Sequence, residues 1–337
     1  MVLLSLIKTL SPRARVKLAS KPKKILSNYG DKSQMARQGR YLKPESLLAQ
    51  TKKLLRHFDL RARKGLGQHF LIDEDVLRLI VSAAQLTPTD VVMEIGPGLG
   101  VLTKELARQA GWVVAIELDT NLVDILKQTL ASFNNVTIIN EDVLSIAPEA
   151  VLQEQKTKFS PEVDSPFGYK VVANLPYYIT SPVLRHFLEA SFKPKVMVVM
   201  VQKEVAEEIV AKPGRMSLLS ISVQLYGEPA IIGYVPAQSF YPAPEVDSAI
   251  LRVALYPQPA VEVADIESFF TLVRAGFSAS RKQIGNSLAH GLGLPKAEVL
   301  SLLEKAGIVP QRRAEALTLE EWARLWRIFA RVEETAC

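Results

Sequence analysis

The segment Asn174-Leu175-Pro176-Tyr177 combines residue types that suit the binding of a planar amine. It follows the apolar run Val171–Ala173, which predicts a strand that delivers these residues to the edge of a cleft. The amide oxygen accepts hydrogen bonds, the proline stiffens the turn, and the tyrosine ring can stack on a planar group. On its own, the segment leaves open which kind of molecule carries the amine.

A glycine-rich turn follows a second apolar run, Val91–Ile95, and precedes a helical pattern. Glycines at Gly96, Gly98 and Gly100 allow the backbone to approach a ligand closely. The spacing G-x-G-x-G differs from the G-x-G-x-x-G of dinucleotide-binding folds, so a pyrophosphate is not the favoured ligand.

Two acidic residues follow the ends of neighbouring predicted strands. Glu117 lies 21 positions after Gly96, where a carboxylate can accept hydrogen bonds from both hydroxyls of a ribose. Asp142 comes after a third strand, at the same edge, where its carboxylate can accept a hydrogen bond from the exocyclic amine of adenine. Together, the three strand ends predict a site for one nucleoside.

The alternation of strand-like and helix-like stretches predicts an α/β fold with a parallel sheet. The strand patterns are Val91–Gly96, Val113–Asp119, Val136–Asn140, Tyr169–Asn174, Lys195–Gln202, Ala230–Pro236 and Ala249–Tyr256, and the helical ones are Val101–Gln109, Thr120–Leu130, Ser181–Ala190, Lys203–Val210 and Met216–Gly227.

The last two predicted strands are joined by the proline-rich segment Pro236–Pro244 with no helix between them. This predicts an antiparallel pair at one edge of the sheet. We therefore predict a Rossmann-like, seven-stranded, mostly parallel sheet with an antiparallel edge strand, in a domain that spans residues 55–256.

Residues 257–337 predict a small C-terminal all-helical domain. Its helical patterns are Ile266–Gly276, Arg281–His290, Lys296–Gly307 and Leu319–Val332, the last with Thr318 as its N-cap. Trp322 and Trp326 lie four positions apart on one helix, so we expect them to pack in the core.

Charge divides the 337-residue chain unevenly. Residues 1–64 hold 17 Lys and Arg against 3 Asp and Glu, a net charge of +14, and the remainder holds 24 against 32, a net charge of −8. We predict that residues 1–54 are a basic, disordered extension that suits nucleic acid. Two alternatives stay open: residues 1–34 as a start-site artefact upstream of Met35, and an organellar transit peptide in Met1–Lys24.

The composition indicates a soluble protein without a membrane span, since no apolar run reaches the ~18 residues that a span needs. The only cysteine is Cys337, and the four histidines are scattered. We therefore expect no disulfide, no metal site and a cytoplasmic location.

Five segments resemble, in order and at similar spacing, the ribosomal RNA adenine dimethyltransferases, a family of class I S-adenosylmethionine-dependent methyltransferases. They are Lys64–Asp73, Glu94–Gly100, Ile116–Asp119, Asn174–Tyr177 and Phe240–Ala249. The resemblance covers about residues 55–335 and is strongest to the branch that dimethylates two neighbouring adenosines near the 3′ end of small-subunit rRNA.

The resemblance implies S-adenosylmethionine as the cofactor, without a metal. It implies that the cofactor is bound by residues at His69, Leu71, Gly96, Gly98, Glu117, Asp142 and Asn174. Two residues depart from the family pattern: His69 stands where Asn is common, and Gln283 where Thr is frequent.

The implied chemistry assigns catalytic roles to Asn174, Leu175, Pro176, Tyr177 and Phe240. The Asn174 Oδ1 atom and the Leu175 carbonyl would orient the N6 amine of adenine, Pro176 would fix them, and Tyr177 would stack on the base. Phe240 would close the other face of the base; alternatively, Phe240 and Tyr241 form a hydrophobic lid over the edge strands.

The implied partner is small-subunit rRNA in an immature small ribosomal subunit, bound by a monomer. We expect Arg281 and Lys282 of the helical domain to contact RNA, and Arg312 and Arg313 to lie on a solvated helix face. Two other functions stay open: a large-subunit rRNA methyltransferase of the macrolide-resistance type, and a non-catalytic assembly or transcription factor on the same fold.

Overall fold

The computed structural model describes residues 45–60, 63, 67–159 and 168–336. The predicted extension up to residue 44, with its start-site and transit-peptide alternatives, lies outside these residues. Lys64, Gly65 and Leu66 of the first family segment, and Cys337, lie outside them as well.

Within the described residues, the chain forms nine strands and twelve α-helices. The strands are β1 Phe70–Leu71, β2 Val91–Ile95, β3 Trp112–Glu117, β4 Val136–Asn140, β5 Tyr169–Asn174, β6 Val196–Gln202, β7 Gly227–Val235, β8 Phe240–Tyr241 and β9 Ser248–Leu255. The helices are α1 Leu47–His57, α2 Glu74–Ala84, α3 Val101–Gln109, α4 Thr120–Thr129, α5 Pro148–Phe159, α6 Thr180–Glu189, α7 Lys203–Ile209, α8 Leu218–Gln224, α9 Ile266–Phe277, α10 Ile284–Leu292, α11 Lys296–Lys305 and α12 Leu319–Ala336.

Seven strands form one sheet in the order β4-β3-β2-β5-β6-β9-β7, which confirms the predicted α/β fold. The first five are parallel, whereas β9 is antiparallel to both β6 and β7. The reversed strand is therefore β9, one position in from the edge that β7 forms. All residues of β2 are buried, as expected for a central parallel strand with both faces covered.

The two faces of the sheet carry different hydrophobic clusters. One face packs against α2 and α3, through residues such as Ile80 and Leu106. The other packs against α6 and the C-terminal helices, and its cluster runs from Phe187 to Trp322. Trp322 and Trp326 are 0% and 6% exposed, which confirms their prediction as core residues.

The start of α12 also matches its prediction. The Glu321 N–H donates to Thr318 Oγ1 at 3.2 Å, and the Thr318 N–H donates to Glu321 Oε2 at 2.9 Å. These reciprocal bonds form a capping box, which satisfies backbone donors that the helix cannot satisfy itself.

Three helices were not predicted from the sequence: α1, α2 and α5. Helix α1 begins after Ser46, whose side chain accepts a bond from the Ala49 N–H, and it buries Thr51 and Leu55. The predicted boundary between residues 54 and 55 falls inside this helix. Residues 47–54 are therefore helical rather than part of a disordered extension.

No helix in the described ranges is both long enough and apolar enough to cross a membrane. Within the same ranges, no group of three or more His, Cys, Asp or Glu side chains is arranged to hold a metal ion.

Candidate active site

A cavity of about 220 Å³ lies at the carboxyl ends of β2, β3 and β5. Loops after parallel strands meet at this edge of a sheet, which is where ligands bind in open α/β folds. The cavity brings together every predicted catalytic and cofactor-binding residue: His69, Leu71, Gly96, Gly98, Glu117, Asp142, Asn174, Leu175, Pro176, Tyr177 and Phe240.

The glycine-rich turn forms one wall of the cavity. Gly96 and Gly98 have φ angles of 65° and 58°, in the left-handed region that favours glycine. A Cβ atom at Gly98 would lie 3.4 Å from the ring of Phe70. The turn therefore packs closely against β1 and leaves backbone, rather than side chains, facing a ligand.

Glu117 is held at the end of β3 by backbone N–H groups. Its Oε2 accepts a hydrogen bond from Gly98 N at 3.1 Å, and its Oε1 accepts one from Asp119 N at 2.9 Å. Burial raises the pKa of the Glu117 carboxyl, while these two N–H groups favour its charged form. The glycine-rich turn and β3 therefore fix the orientation of the carboxyl group.

Glu94, in the middle of the apolar strand β2, is a second buried acid in the cavity wall. It is 1% exposed, and its Oε2 has no hydrogen-bond partner among the described residues. Burial is the main cause that raises the pKa of Glu94 to about 8, and the nearby Glu117 contributes to the same rise. Sequence reasoning did not choose Glu94, although an acid within Val91–Ile95 was the available signal.

Asp142 begins the short 3₁₀ turn Val143–Ser145. Its Oδ1 accepts a hydrogen bond from Leu144 N at 2.9 Å, which fixes the carboxylate at the cavity edge. Asp142 itself is exposed, in contrast to Glu117, which is 6% exposed.

Asn174 is oriented by a residue far away in the sequence. Its Nδ2 donates to the backbone carbonyl of His69 at 3.1 Å. The amide nitrogen is thereby occupied, and within the described residues Asn174 Oδ1 and the Leu175 carbonyl accept no hydrogen bond. Two oxygen acceptors are thus available on consecutive residues that line the cavity.

Tyr177 is fixed at its hydroxyl and flanked on its ring. The hydroxyl lies 2.7 Å from Ser248 Oγ on β9, and burial raises the pKa of Tyr177. The His69 and Tyr177 rings are stacked, with centroids 6.1 Å apart and planes 21° apart. Tyr177 therefore joins the turn Asn174–Tyr177, which we call the acceptor turn, to the sheet.

The ring of His69 also holds the segment that carries Phe240. His69 Nδ1 lies 2.8 Å from the Pro242 carbonyl, and because a carbonyl only accepts, Nδ1 carries the proton. Strand β1 pairs antiparallel with β8, so Leu71 lies opposite Phe240, which is 3% exposed. His69 thus acts through its backbone on Asn174 and through its side chain on Pro242.

Asp119 is a further cavity residue that sequence reasoning did not select. It is 8% exposed and accepts hydrogen bonds from Gln68 Nε2 at 3.1 Å and from the backbone N–H of Asn121 at 3.1 Å. Arg63 Nη1 lies 3.4 Å from Asp119 Oδ2. Its position just before a helical pattern, as an N-cap, was a sequence signal that could have identified it.

The predicted RNA-contacting pair lies outside the cavity. Arg281 and Lys282 are exposed, in the turn between α9 and α10, and form no ion pair within the described residues. Arg312, by contrast, forms a two-pronged ion pair with Glu321 through Nη1 at 2.5 Å and Nη2 at 3.0 Å. Its charge is compensated within the protein.

The comparisons with known proteins agree with this geometry. The model of the family described as "Ribosomal RNA adenine dimethylase" matches residues 59–331. The chain is 52% identical over 285 residues to the ribosomal RNA small subunit methyltransferase A of Dehalococcoides mccartyi (strain CBDB1), covering 85% of this chain and 94% of that protein. It is 44% identical over 279 residues to the protein of the same name from Moorella thermoacetica, covering 82% and 96%.

Solved structures show the same fold. A dimethyladenosine transferase from Plasmodium falciparum aligns with a TM-score of 0.65 at 25% identity, covering 78% of this chain and 98% of the other. The 23S rRNA methyltransferase ErmE aligns with a TM-score of 0.60 at 29% identity, covering 77% and 99%. From the family match and these identities, the chain belongs to the ribosomal RNA adenine dimethylase family.

Proposed function

We propose that this protein transfers methyl groups from S-adenosylmethionine to N6 of two adjacent adenosines near the 3′ end of small-subunit rRNA, giving N6,N6-dimethyladenosine. The observation that carries the proposal is a pair of acceptors, Asn174 Oδ1 and the Leu175 carbonyl, that have no donor among the described residues and lie in one cavity with the glycine-rich turn and Glu117. Family membership makes the chain an rRNA methyltransferase, and the curated relatives named for the small subunit support the substrate.

The residues present fit the cofactor. The left-handed Gly96 and Gly98 leave open backbone beside the cavity, and the buried Glu117 carboxyl lies next to them, as a ribose would require. Asp142 would accept a bond from the adenine amine of the cofactor, and His69, Leu71 and Asn174 would complete its surroundings. When bound, the cofactor supplies an electrophilic methyl group on a sulfonium.

The acceptor turn would prepare the substrate amine. An adenine N6 lone pair is delocalised into the ring, which makes the amine a poor nucleophile. Two fixed acceptors, Asn174 Oδ1 and the Leu175 carbonyl, would accept hydrogen bonds from its two N–H groups and draw the nitrogen towards tetrahedral geometry. Pro176 restricts the backbone between them and Tyr177. In each transfer, N6 would gain the methyl group as the carbon–sulfur bond breaks, and would then release one proton to water. Positioning and electrostatics would supply the rate, without a strong general base.

The base would be held between aromatic rings. Tyr177, fixed by Ser248, would stack on one face, and Phe240, buried on β8, would close the other. Strand β8 pairs with β1, and Phe240 of β8 and Leu71 of β1 both line the cavity. Phe240 is therefore also part of a hydrophobic wall of the cavity. The two roles considered for Phe240, as a base contact and as part of a hydrophobic lid, are therefore compatible.

The substrate is structured RNA, so the target base must leave its stack, at a cost of a few kcal/mol. Contacts with the RNA backbone would offset this cost, and the exposed Arg281 and Lys282, which form no ion pair within the described part of the chain, are our candidates. We further propose that the enzyme acts as a monomer, since one chain lines the whole cavity, and in the cytoplasm, where small subunits mature.

Label transfer to both ribosomal subunits tests the proposal. Subunits are isolated from cells that lack this protein and are incubated with the enzyme and labelled cofactor. We expect label in the small subunit, recovered by mass spectrometry as N6,N6-dimethyladenosine at two adjacent positions. Label in the large subunit would favour the resistance-type activity to which the likeness to ErmE points. Cofactor binding without label in either subunit would favour a non-catalytic factor.

A further inference from the structure

Tyr178 is one of three large hydrophobic residues that line the cavity and are exposed to solvent. The exposed fractions are 53% for Leu118, 37% for Leu144 and 55% for Tyr178. Leu118 and Leu144 lie next to Glu117 and Asp142, at the end of the cavity assigned to the nucleoside of the cofactor. Tyr178 lies at the other end, directly after the acceptor turn.

The position of the Tyr178 ring is set by its surroundings. It belongs to the short 3₁₀ turn Tyr177–Ile179, which the Ile179 N–H closes by donating to the Pro176 carbonyl at 3.1 Å. Gly67 packs against it: a Cβ atom at Gly67 would lie 3.5 Å from Tyr178 Cδ1 and 3.5 Å from Pro176 Cβ. Gly67 therefore lies close to both Pro176 and the Tyr178 ring.

The chemistry of an open, positioned ring at this place is stacking. Within the described residues, the Tyr178 hydroxyl makes no hydrogen bond, and the side chain is 55% exposed, so part of its ring is open to a ligand. A planar group that enters the cleft together with the target base would meet it. In an RNA chain, that group is the base of the adjacent nucleotide.

We propose that Tyr178 forms a second nucleobase subsite, which stacks the purine next to the adenosine that occupies the cavity. The inference rests on the proposed function, in which two adjacent adenosines are modified. Each adenosine would then be the stacking partner of the other during its own methylation. Tyr177 and Tyr178, consecutive in the chain, would hold the reacting base and its neighbour.

Steady-state methylation of undermethylated small subunits tests this subsite. A stacked base contributes about 1–3 kcal/mol, so Tyr178→Ala is expected to raise KM for the subunit by about 5- to 150-fold. Stacking forms in the ground state and persists in the transition state, so kcat should change little. Tyr178→Phe keeps the ring and should restore KM to within about 3-fold of the wild-type value.

Tyr234 provides a matched control. It is 56% exposed on the edge strand β7, it is not among the cavity-lining residues, and its hydroxyl donates to Glu207 Oε1 at 3.2 Å. Tyr234→Ala should leave KM for the subunit within about 2-fold of wild type. The dissociation constant of S-adenosylmethionine and the melting temperature should be the same for Tyr178→Ala and wild type, since a purely structural role would change them.

A wild-type KM for Tyr178→Ala would overturn the subsite, as would a Tyr178→Phe variant as impaired as Tyr178→Ala, because the ring would then not be the contact. Weaker cofactor binding in Tyr178→Ala would also overturn it, by assigning the ring to the cofactor or to the fold. Absence of methylation by the wild-type enzyme would instead contradict the proposed function itself.

Discussion

The two ends of the cavity differ in the sequence separation between the residues that form hydrogen bonds there. At the cofactor end, Gly98 and Glu117 are 19 positions apart, and Asp142 and Leu144 are 2 apart. At the acceptor end, Asn174 is held by a residue 105 positions away, and Tyr177 by one 71 positions away.

The cofactor end is thus a product of neighbouring strand–turn–helix units, each of which is specified locally. The acceptor end joins the N-terminal segment at His69, the end of β5 and the start of β9. Substitutions of Glu117 or Asp142 should therefore change cofactor affinity, and substitutions of Tyr177 or Ser248 should change turnover or RNA affinity. Asn174 is the exception, since it would border both the cofactor and the substrate amine.

The largest effect is expected from Asn174→Ala. The variant loses one of the two acceptors for the N6 amine and leaves the His69 carbonyl without its donor. Removing one positioned hydrogen-bonding group of this kind lowers kcat by about 10²- to 10³-fold. Single-turnover methyl transfer to undermethylated small subunits measures the effect.

Asn135→Ala is the matched control for Asn174→Ala. Asn135 Nδ2 also donates to backbone carbonyls, those of Ala107 at 2.8 Å and Ala110 at 3.1 Å, but Asn135 does not line the cavity. The control should lose stability and keep its turnover. An equal loss of turnover in both variants would mean that the acceptor end has no special role.

Glu94→Gln should change the pH dependence of stability. The folded-state pKa of Glu94, about 8, lies above its ordinary value of 4.5, so the folded protein binds this proton more tightly than the unfolded chain does. The stability from Glu94 is fully present below about pH 4.5 and is lost as the pH rises towards 8. The Gln side chain at position 94 does not ionise, so the stability of the variant should not fall in this way.

Thermal unfolding between pH 4.5 and 9 tests this expectation. The melting temperature of Glu94→Gln relative to wild type should rise across the window and level off above pH 8. The shift from 4.5 to about 8 allows at most about 5 kcal/mol, or roughly 10–20 °C. A difference in melting temperature that stays constant with pH would show that folding does not raise the pKa of Glu94.

Glu117→Gln should weaken cofactor binding while sparing the acceptor end. A bond to a charged group is worth about 1.5–3 kcal/mol, so we expect the dissociation constant of S-adenosylmethionine to rise about 10- to 150-fold. Asp142→Asn retains an oxygen for the Leu144 N–H and should cause a smaller rise. Calorimetric titration measures both; an unchanged constant in Glu117→Gln would remove Glu117 from the cofactor site.

The smallest effect is expected from Ser248→Ala, which frees the Tyr177 hydroxyl. One neutral hydrogen bond contributes about 0.5–1.5 kcal/mol, so kcat/KM for the subunit should fall by about 2- to 10-fold. Cofactor affinity should stay constant. Tyr177→Phe removes the same hydrogen bond, so kcat/KM of the double variant should fall no further than that of either single variant. Additive losses of kcat/KM would show that the two side chains act independently.

Much of the fold could be predicted because hydrophobic periodicity is local. The seven strands of the main sheet and nine of the helices follow their patterns closely. Helix α2 was not predicted, although its N-cap Asp73 and the acidic first-turn residues Glu74 and Asp75 are a local start signal. Helix α1 carries leucines at helical spacing among basic residues, a signal that was missed, and Leu54 and Leu55 pack in a cluster with Phe70 and Leu99.

By itself, the sequence determined the glycine-rich turn, the acids at the strand ends and the family of the chain, because each depends on residue type and short spacing. Only the tertiary structure decided the support of the acceptor turn: the His69 carbonyl on Asn174, the His69 ring on Pro242, and Ser248 on Tyr177. These are hydrogen bonds between segments that only folding brings within 3.1 Å of each other, and no local pattern records them.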